Sequence, residues 1–185
     1  MAQIKLLISD FDGTLVNTFK ANYLAYKDAF SAVGRTITEK EYRECFGFRF
    51  DDFMKAMRVH DVEIAKEIRK IKGESYPKYF SNFIVNTPLL EMIKSFRLSG
   101  GFTAVASTAR KKNLMNALHY IGAEDAFSYI LAGEDVSKGK PNPEIYKNVL
   151  QHFKLDPKEA LVFEDSEVGM QAASNAGIGF VRVVL

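Results

Sequence analysis

The sequence predicts an α/β protein, a doubly wound parallel sheet with helices on both faces and a small helical insertion. Three observations carry this prediction. Apolar segments of strand length alternate with segments of helical periodicity over residues 1–16 and 87–185. Residues 17–86 contain no convincing strand periodicity and are predicted to be helical. A chain of 185 residues can bury one core plus a modest insertion, but not two full-sized domains.

The first predicted strand ends in two acids. An apolar run from Leu6 stops at Asp10 and Asp12, and Gly13 then turns the backbone. Residues two apart in an extended segment share a face, so both carboxylates point the same way if strand geometry persists. A simple turn is the alternative, because Asp-Gly pairs are common in loops. A calcium loop is disfavoured, because it needs glycine at the sixth position and Gly13 falls at the fourth.

The insertion is rich in aromatic residues at helical spacing. Its helices are predicted over residues 18–33, 39–46, 51–59 and 62–71, and Gly34 ends the first of them. A last helical face is predicted from five apolar residues, Tyr76, Tyr79, Phe80, Phe83 and Ile84. We interpret residues 17–86 as a cap inserted into the α/β core.

Strand and helix alternate again from residue 87. Thr87 is predicted to cap a helix that has Pro88 in its first position and that ends before Gly100. Further strands are predicted over residues 102–106, 129–132, 160–163 and 179–184. Further helices are predicted over residues 112–121, from Pro143 onward, and over residues 166–176.

Polar residues follow these strands directly. Asp10, Ser107 and the pair Glu164-Asp165 each come at a strand end, and Lys140 lies in the loop after another strand. Ligands of such sheets bind in the crevice at the carboxyl ends of the strands, so these side chains are expected to converge.

The converging acids imply a cation. Carboxylates brought together repel one another strongly, and Lys140 supplies one positive charge. An all-oxygen cluster without histidine or cysteine suits Mg²⁺ better than zinc. Mg²⁺ held by few carboxylates usually completes its shell with water and a phosphate oxygen. The inferred substrate is therefore a phosphate.

Four separated motifs occur in order: Asp10-Phe11-Asp12-Gly13-Thr14, Ser107, Lys140-Pro141, and Glu164-Asp165-Ser166 with Gly169. With these motifs the chain resembles the haloacid dehalogenase superfamily, in its branch of phosphatases and phosphomutases with a small helical cap. The resemblance covers essentially the whole chain. It implies a Rossmann-like core of residues 1–16 and 87–185 and a cap of residues 17–86.

The resemblance also implies catalytic roles. Asp10 would be the nucleophile and form an aspartyl-phosphate. Asp12 would protonate the leaving oxygen and then take a proton from the hydrolytic water. Ser107 would bond a phosphoryl oxygen, and Lys140 would offset negative charge on Asp10 and on the transferring group.

A metal site follows from the same resemblance. Mg²⁺ would be held by the carboxylate of Asp10, the main-chain carbonyl of Asp12 and Asp165, with Glu164 acting directly or through water. The second acid matters for the reaction class. Dehalogenases of the superfamily lack a carboxylate at the position of Asp12, so its presence favours phosphoryl transfer.

Substrate contacts are expected from three residues outside these motifs. Thr108 and Arg110 follow the Ser107 turn, and Arg110 could meet a second anionic group. Arg49, in a loop of the predicted cap, could select substrates. The alternatives are a surface charge for Arg110 and a cap packed around its own aromatic core near Arg49.

Two other functions remain open. In β-phosphoglucomutases of this branch a histidine stands where Asn22 aligns, and their cap arginine aligns with Arg49 only after a one-residue slip, so hydrolysis is favoured over a mutase reaction. A phospho-binding or receiver-like module is the second alternative. A receiver needs neither an acid at Asp12 nor a large helical insertion.

Composition narrows the partners. The chain is 47% hydrophobic and 26% charged, with a formal net charge of +2 and scattered basic residues, which does not indicate nucleic-acid binding. No apolar run approaches membrane-spanning length, and acids come too early for a signal peptide, so a cytoplasmic monomer acting on a small phosphorylated metabolite is expected. Family members often continue beyond the last strand, so the chain is expected to be either compact or short at its C-terminus.

Overall fold

The computed structural model describes residues 3–185 and divides them into two compact units. The larger unit contains residues 3–17 and 85–185, and the smaller contains residues 18–84. Seven strands occur in the described chain: β1 (Leu6–Ser9), β2 (Val16–Asn17), β3 (Ile84–Val85), β4 (Phe102–Ala106), β5 (Tyr129–Leu131), β6 (Ala160–Glu164) and β7 (Gly179–Arg182).

The predicted parallel sheet is confirmed. Five strands lie in the order β5-β4-β1-β6-β7, and every neighbouring pair is parallel. From the central strand β1 the chain builds outward on one side through β4 and β5, and then on the other side through β6 and β7. The sheet therefore has a switch in strand order beside β1, which is where ligand crevices form in such sheets.

Helices complete both units. The smaller unit contains α1 (Phe19–Ala32), α2 (Glu39–Glu44), α3 (Phe50–Ala56) and α4 (Val62–Ser75). The larger unit contains α5 (Thr87–Leu98), α6 (Lys111–Tyr120), α7 (Glu144–Phe153) and α8 (Glu167–Asn175). Each of these helices overlaps a segment that the periodicity predicts as helical.

The central strand of the sheet is buried on both faces, as expected of parallel strands, whereas the edge strand β7 is exposed. Every residue of β1 is buried, including Ser9. One face packs against α7 and α8 in a core of apolar side chains: Leu6, Ile8, Ala104, Ala106, Leu131, Ile145, Tyr146, Val149, Leu150, Ala160, Val162, Ala172, Ala173, Ala176 and Ile178. Ser9 pairs with Val105 on one side and with Phe163 on the other. This register brings the ends of β1, β4 and β6 to the same edge.

The smaller unit has an aromatic core of its own. Tyr42 is buried and its ring lies within about 6 Å of the rings of Phe19, Tyr26 and Phe53. A capping box begins α2, because the Thr38 side chain accepts from the Glu41 backbone and the Glu41 carboxylate accepts from the Thr38 backbone.

Two local predictions are wrong. The predicted last helical face forms a 3₁₀ helix, Tyr76–Asn82, followed by strand β3. Its aromatic spacing of three and four residues fits either type of helix, so the pattern could not distinguish them. Asn86 rather than Thr87 caps α5, because its side chain accepts from the Leu89 backbone at 3.3 Å and also donates to the Thr14 carbonyl at 3.2 Å.

Lys154 ends α7 in the left-handed region, with φ 55° and ψ 45°. That conformation is strained for a residue with a Cβ and not for glycine. We expect Lys154→Gly to raise the free energy of unfolding by about 0.5–1 kcal/mol, measured by urea denaturation. Lys147→Gly, in the exposed middle of the same helix, is the control and should lower it by about 1 kcal/mol. Loss of stability in Lys154→Gly would contradict the strain argument.

Candidate active site

A buried lysine connects the carboxyl ends of three strands. The Lys140 ammonium donates to Asp10 Oδ1 at 2.7 Å, to the Ala106 carbonyl at 3.1 Å and to Glu164 Oε1. Its side chain is 4% exposed. An ammonium has three protons, and three acceptors surround this one, so its orientation is fixed.

Asp165 joins this group from the end of β6. One carboxylate oxygen from each of Asp10, Glu164 and Asp165 lies within 4.8 Å of the others. Thr14 orients Asp165 by donating its hydroxyl to Oδ1 at 3.0 Å. The predicted convergence of Asp10, Lys140, Glu164 and Asp165 is therefore present in the structure.

The close approach of Asp165 depends on glycine. Gly13 has φ +92°, and a Cβ there would lie 2.1 Å from Asp165 Oδ2. A side chain at this position would be strained by the backbone conformation and would also displace the carboxylate. The Asp-Gly turn therefore ends the strand and makes room for an acid from a neighbouring strand.

Burial governs the charges in this group. Burial raises the pKa of Asp10 well above its ordinary value, Lys140 opposes that rise, and Glu164 and Asp165 add to it. Burial also raises the pKa of Asp165, with Glu164 adding to it. Burial by itself would lower the pKa of Lys140, but the attraction of Asp10 and Glu164 outweighs it and raises the pKa, so the lysine stays charged. Three carboxylates against one lysine leave room for a further cation, and their hard oxygen donors fit Mg²⁺.

Asp12 has different surroundings from Asp10. It is half-buried, and the Ser107 hydroxyl reaches its Oδ2 at 3.4 Å. Ser107 is itself held by the Ala109 backbone, which donates to its Oγ at 3.0 Å. The two predicted acids of the first motif therefore lie at one sheet edge, Asp10 bonded to Lys140 and Asp12 beside Ser107.

The loop that carries Ser107 is braced by the loop after β5. Gly133 donates its N–H to the Ala109 carbonyl at 2.9 Å. The Glu134 carboxylate accepts from Arg110 Nε at 3.2 Å and from the Lys111 backbone at 2.8 Å. Arg110 is thus oriented by a partner that the sequence analysis did not identify. Thr108 lies between Ser107 and this brace, and its carbonyl faces Gly133.

The remaining predicted residue belongs to the other unit. Arg49 directly precedes α3 within residues 18–84. Its contact with a substrate stays a prediction.

The comparisons with known proteins decide the family. The family model described as haloacid dehalogenase-like hydrolase matches residues 7–183. The chain belongs to the haloacid dehalogenase-like hydrolases. The predicted family is therefore confirmed.

Relatives of this haloacid dehalogenase-like hydrolase include enzymes named as phosphatases. It is 30% identical to a phosphorylated carbohydrates phosphatase of Thermotoga maritima, over 95% of this chain and 82% of that protein. It is 32% identical to protein CbbY of Rhodobacter capsulatus, over 99% of this chain and 85% of that protein. The crystal structure of CbbY from Rhodobacter sphaeroides in complex with phosphate has 26% identity and a TM-score of 0.88, with 99% and 87% of the two chains covered. The predicted enzyme class, a phosphoric monoester hydrolase, is confirmed at this level.

Sequence reasoning missed two residues of the site of this haloacid dehalogenase-like hydrolase, Tyr146 and Glu134. Tyr146 donates its hydroxyl to Glu164 at 2.7 Å, and Ser166 also donates to Glu164. Glu134 braces the Ser107 loop. Tyr146 lies among apolar residues at helical spacing, so its sequence pattern is that of a core residue.

No helix within residues 3–185 is long and apolar enough to cross a membrane.

The close packing of Gly133 against the Thr108 carbonyl predicts the effect of a substitution. A Cβ at Gly133 would lie 2.4 Å from the Thr108 carbonyl oxygen, which is backbone and cannot rotate away. We expect Gly133→Ala to displace the Ser107 loop, to lower the free energy of unfolding by about 1–3 kcal/mol and to reduce phosphatase activity. Gly179→Ala is the control, since its Cβ would make only an ordinary contact at 3.9 Å. Equal melting temperatures for the two variants would contradict this account.

The brace also predicts a pH dependence. The hydrogen bond from the Lys111 backbone, followed by that from Arg110, holds the pKa of Glu134 below its ordinary 4.5. A lowered pKa means that the ionised side chain stabilises the fold above pH 4.5, and that this contribution is lost as the pH falls through the lower folded-state value. We expect Glu134→Gln to lower the free energy of unfolding at pH 7 by about 0.5–1 kcal/mol.

Urea denaturation between pH 7 and pH 4 checks this expectation, and the difference from wild type should narrow below pH 4.5. The control is Glu91→Gln, which removes an exposed ion pair with Lys94 on α5 and should change stability little at any pH. A pH-independent loss in Glu134→Gln would mean that its charge does not hold the loop.

Proposed function

We propose that this protein is a Mg²⁺-dependent phosphatase that hydrolyses a small phosphorylated metabolite through an aspartyl-phosphate on Asp10. The observation that carries the proposal is the buried Asp10 carboxylate, held by Lys140 at 2.7 Å within a cluster of three acids. A carboxylate fixed in this way is oriented for nucleophilic attack. The charge that develops on it and on the phosphoryl group during the reaction is stabilised by a lysine that is already in place.

The first half of the reaction transfers the phosphoryl group to Asp10. A carboxylate oxygen of Asp10 attacks phosphorus, and the bond between phosphorus and the leaving oxygen breaks. Asp12 donates a proton to that oxygen, so the product leaves as an alcohol. The position of Asp12 supports this role, since it shares the sheet edge with Asp10 and lies beside the Ser107 hydroxyl.

The second half returns the enzyme to its starting state. Asp12, now ionised, accepts a proton from water, and the resulting hydroxide attacks phosphorus. The bond from phosphorus to the Asp10 oxygen breaks, and inorganic phosphate leaves. Ser107 and Lys140 are proposed to hold the phosphoryl oxygens in both halves by donating hydrogen bonds.

The Mg²⁺ ligands are proposed to be the Asp10 carboxylate, the Asp12 main-chain carbonyl and Asp165. When bound, the cation would neutralise charge on the substrate phosphoryl oxygens and shield them from Asp10. Both oxygens of Glu164 already accept hydrogen bonds from protein groups. This supports a contribution of Glu164 through water rather than direct ligation.

The substrate class is proposed from relatives and from the site. Two relatives are named as a phosphorylated carbohydrates phosphatase and as a validoxylamine A 7'-phosphate phosphatase. Phosphorylated carbohydrates are therefore the first candidates. Thr108 and Arg110, which follow Ser107, are proposed to contact the substrate beyond its phosphoryl group. The helical unit is proposed to act as a cap, with Arg49 as a further substrate contact.

A β-phosphoglucomutase-like reaction is the second candidate. A crystal structure of a putative β-phosphoglucomutase from Thermotoga maritima has 26% identity to this chain and a TM-score of 0.72. Asn22 stands where those enzymes are expected to carry histidine, and its amide donates to Thr18 Oγ1 at 3.0 Å and to the Tyr76 hydroxyl at 3.3 Å. A side-chain amide cannot replace histidine as a general acid or base, and this one is buried between two hydroxyls, which supports hydrolysis over the mutase reaction.

A non-catalytic phospho-binding or receiver-like module is the third candidate. Such a module would keep the acids but needs no group to protonate a leaving oxygen. The placement of Asp12 beside Ser107 therefore supports an enzyme.

The test measures phosphate release from p-nitrophenyl phosphate and from a panel of sugar and small-acid phosphates, with Mg²⁺ or with EDTA. Wild type is expected to be active only with Mg²⁺, and Asp10→Asn is expected to lose at least about a thousandfold in kcat because the nucleophile is gone. Asp125→Asn is the control, since this exposed aspartate lies outside the site and should not change turnover.

Two results would contradict the proposal. Full turnover by Asp10→Asn would exclude the aspartyl-phosphate. Absence of release from every substrate, by folded protein that binds Mg²⁺, would exclude the general phosphatase and favour a mutase assay with a bisphosphate activator.

A further inference from the structure

Tyr146 is a buried phenol that contacts both members of the central ion pair. It lies in the first turn of α7 and is fully buried. Its hydroxyl donates to Glu164 Oε1 at 2.7 Å. The face of its ring lies 5.3 Å from the Lys140 ammonium, within the range of a cation–π contact. The Tyr146 side chain therefore contacts both the Glu164 carboxylate and the Lys140 ammonium.

Glu164 depends on such donors because it has no access to water. Its exposed fraction is 0%, and four protein groups donate to its two oxygens. Lys140 and Tyr146 donate to Oε1, while the Ser166 hydroxyl at 3.1 Å and the Ser166 backbone at 3.4 Å donate to Oε2. A buried carboxylate that loses a donor keeps the cost of its desolvation, because no solvent replaces the lost bond.

Glu164 also cannot move toward α8. A Cβ at Gly169 would lie 2.0 Å from its carboxylate, so the first turn of α8 lies directly against the carboxylate. Packing against α8 therefore leaves Glu164 no room to shift toward that helix. The loss of one donor must therefore be compensated by the donors that remain.

Lys140 is the donor that would compensate. It shares its three protons among Asp10, Glu164 and the Ala106 carbonyl. Without the Tyr146 hydroxyl, the charge of Glu164 would act on Lys140 more strongly and draw the ammonium away from Asp10. In the proposed reaction the Asp10 carboxylate attacks phosphorus, so a shift of Lys140 would affect the attacking group.

We infer that Tyr146 is a positioning residue. Its hydroxyl stabilises the negative charge of Glu164 by a hydrogen bond, so that Lys140 stays bonded to Asp10 and close to the transferring phosphoryl group. This inference rests on the proposed function. Tyr146 acts through Glu164 and Lys140 and does not itself touch the substrate.

The first experiment compares Tyr146→Phe with wild type on p-nitrophenyl phosphate. The variant keeps the ring and removes one hydroxyl, so kcat is expected to fall about tenfold, the size of one hydrogen bond to a charged group. KM is expected to stay within about twofold, because substrate binding does not use this hydroxyl. Rates are expressed per folded molecule, with the folded fraction taken from thermal denaturation at the assay temperature.

The matched control is Tyr79→Phe. Tyr79 donates its hydroxyl to Asp28 Oδ2, also at 2.7 Å, within the helical unit. Removing it deletes the same type of hydrogen bond without changing the proposed catalytic groups. This variant is expected to lose some stability and to keep the kcat of wild type.

A double-mutant cycle with Glu164→Gln tests the route of the effect. If Tyr146 acts through the charge of Glu164, Tyr146→Phe should change kcat by less than about twofold in the Glu164→Gln background. Effects that multiply instead would show that Tyr146 acts independently of Glu164, and would overturn the inference.

The remaining outcomes are also decisive. A kcat for Tyr146→Phe equal to that of Tyr79→Phe would overturn the inference while leaving the proposed function intact. A loss of rate that only follows the loss of folded protein would make Tyr146 a structural residue and would likewise overturn it. An inactive wild type would overturn the proposed function itself and, with it, this role for Tyr146.

Discussion

The buried contact of Lys140 with Asp10 and Glu164 is the interaction on which the rest of the site depends. Ions in a protein interior lose their hydration, and a buried pair is tolerated only when its geometry is good and its remaining hydrogen bonds are made. The parallel sheet meets this requirement by bringing the ends of β1, β4 and β6 to one edge, where Asp10, the Ala106 carbonyl and Glu164 surround one ammonium. Removing one partner of such a pair typically costs about 3–5 kcal/mol, because it leaves the other charge buried without compensation, so the acids and Lys140 depend on one another.

Glycines let the polar groups approach so closely. Gly13, Gly133 and Gly169 stand where a Cβ would overlap Asp165, the Thr108 carbonyl and Glu164, respectively. Two of these neighbours are carboxylates and the third is a carbonyl of the loop that carries Ser107. The chain thus has its smallest residue at the points where acids or backbone oxygens from different loops meet. A larger side chain at any of them would push the neighbouring oxygen aside and disturb the hydrogen bonds that hold its group in place.

The sheet and the convergence of its polar loops could be predicted from the sequence, because both follow from local patterns. An apolar run that ends in an acid predicts a strand with an acid at its carboxyl end. In a parallel sheet the carboxyl ends of neighbouring strands lie together. The details that failed depend on partners remote in the chain. Asn86 is the cap of α5 partly because it also reaches Thr14. Tyr146 and Glu134 act on Glu164 and Lys111, and no periodicity within α7 or the loop after β5 encodes those distances.

Asp10 and Asp12 show how one residue type can have two different environments at a spacing of two. Asp10 is buried and tied to Lys140, whereas Asp12 is half-buried and lies beside the hydroxyl of Ser107. In the proposed reaction Asp10 must stay ionised to attack phosphorus, yet burial and the neighbouring acids raise its pKa. Lys140 offsets only one of the three carboxylate charges in this cluster, so keeping Asp10 ionised calls for further positive charge. A divalent cation bound by the same carboxylates would meet that need, because it would favour the ionised form of Asp10 and at the same time attract the phosphoryl group that Asp10 attacks.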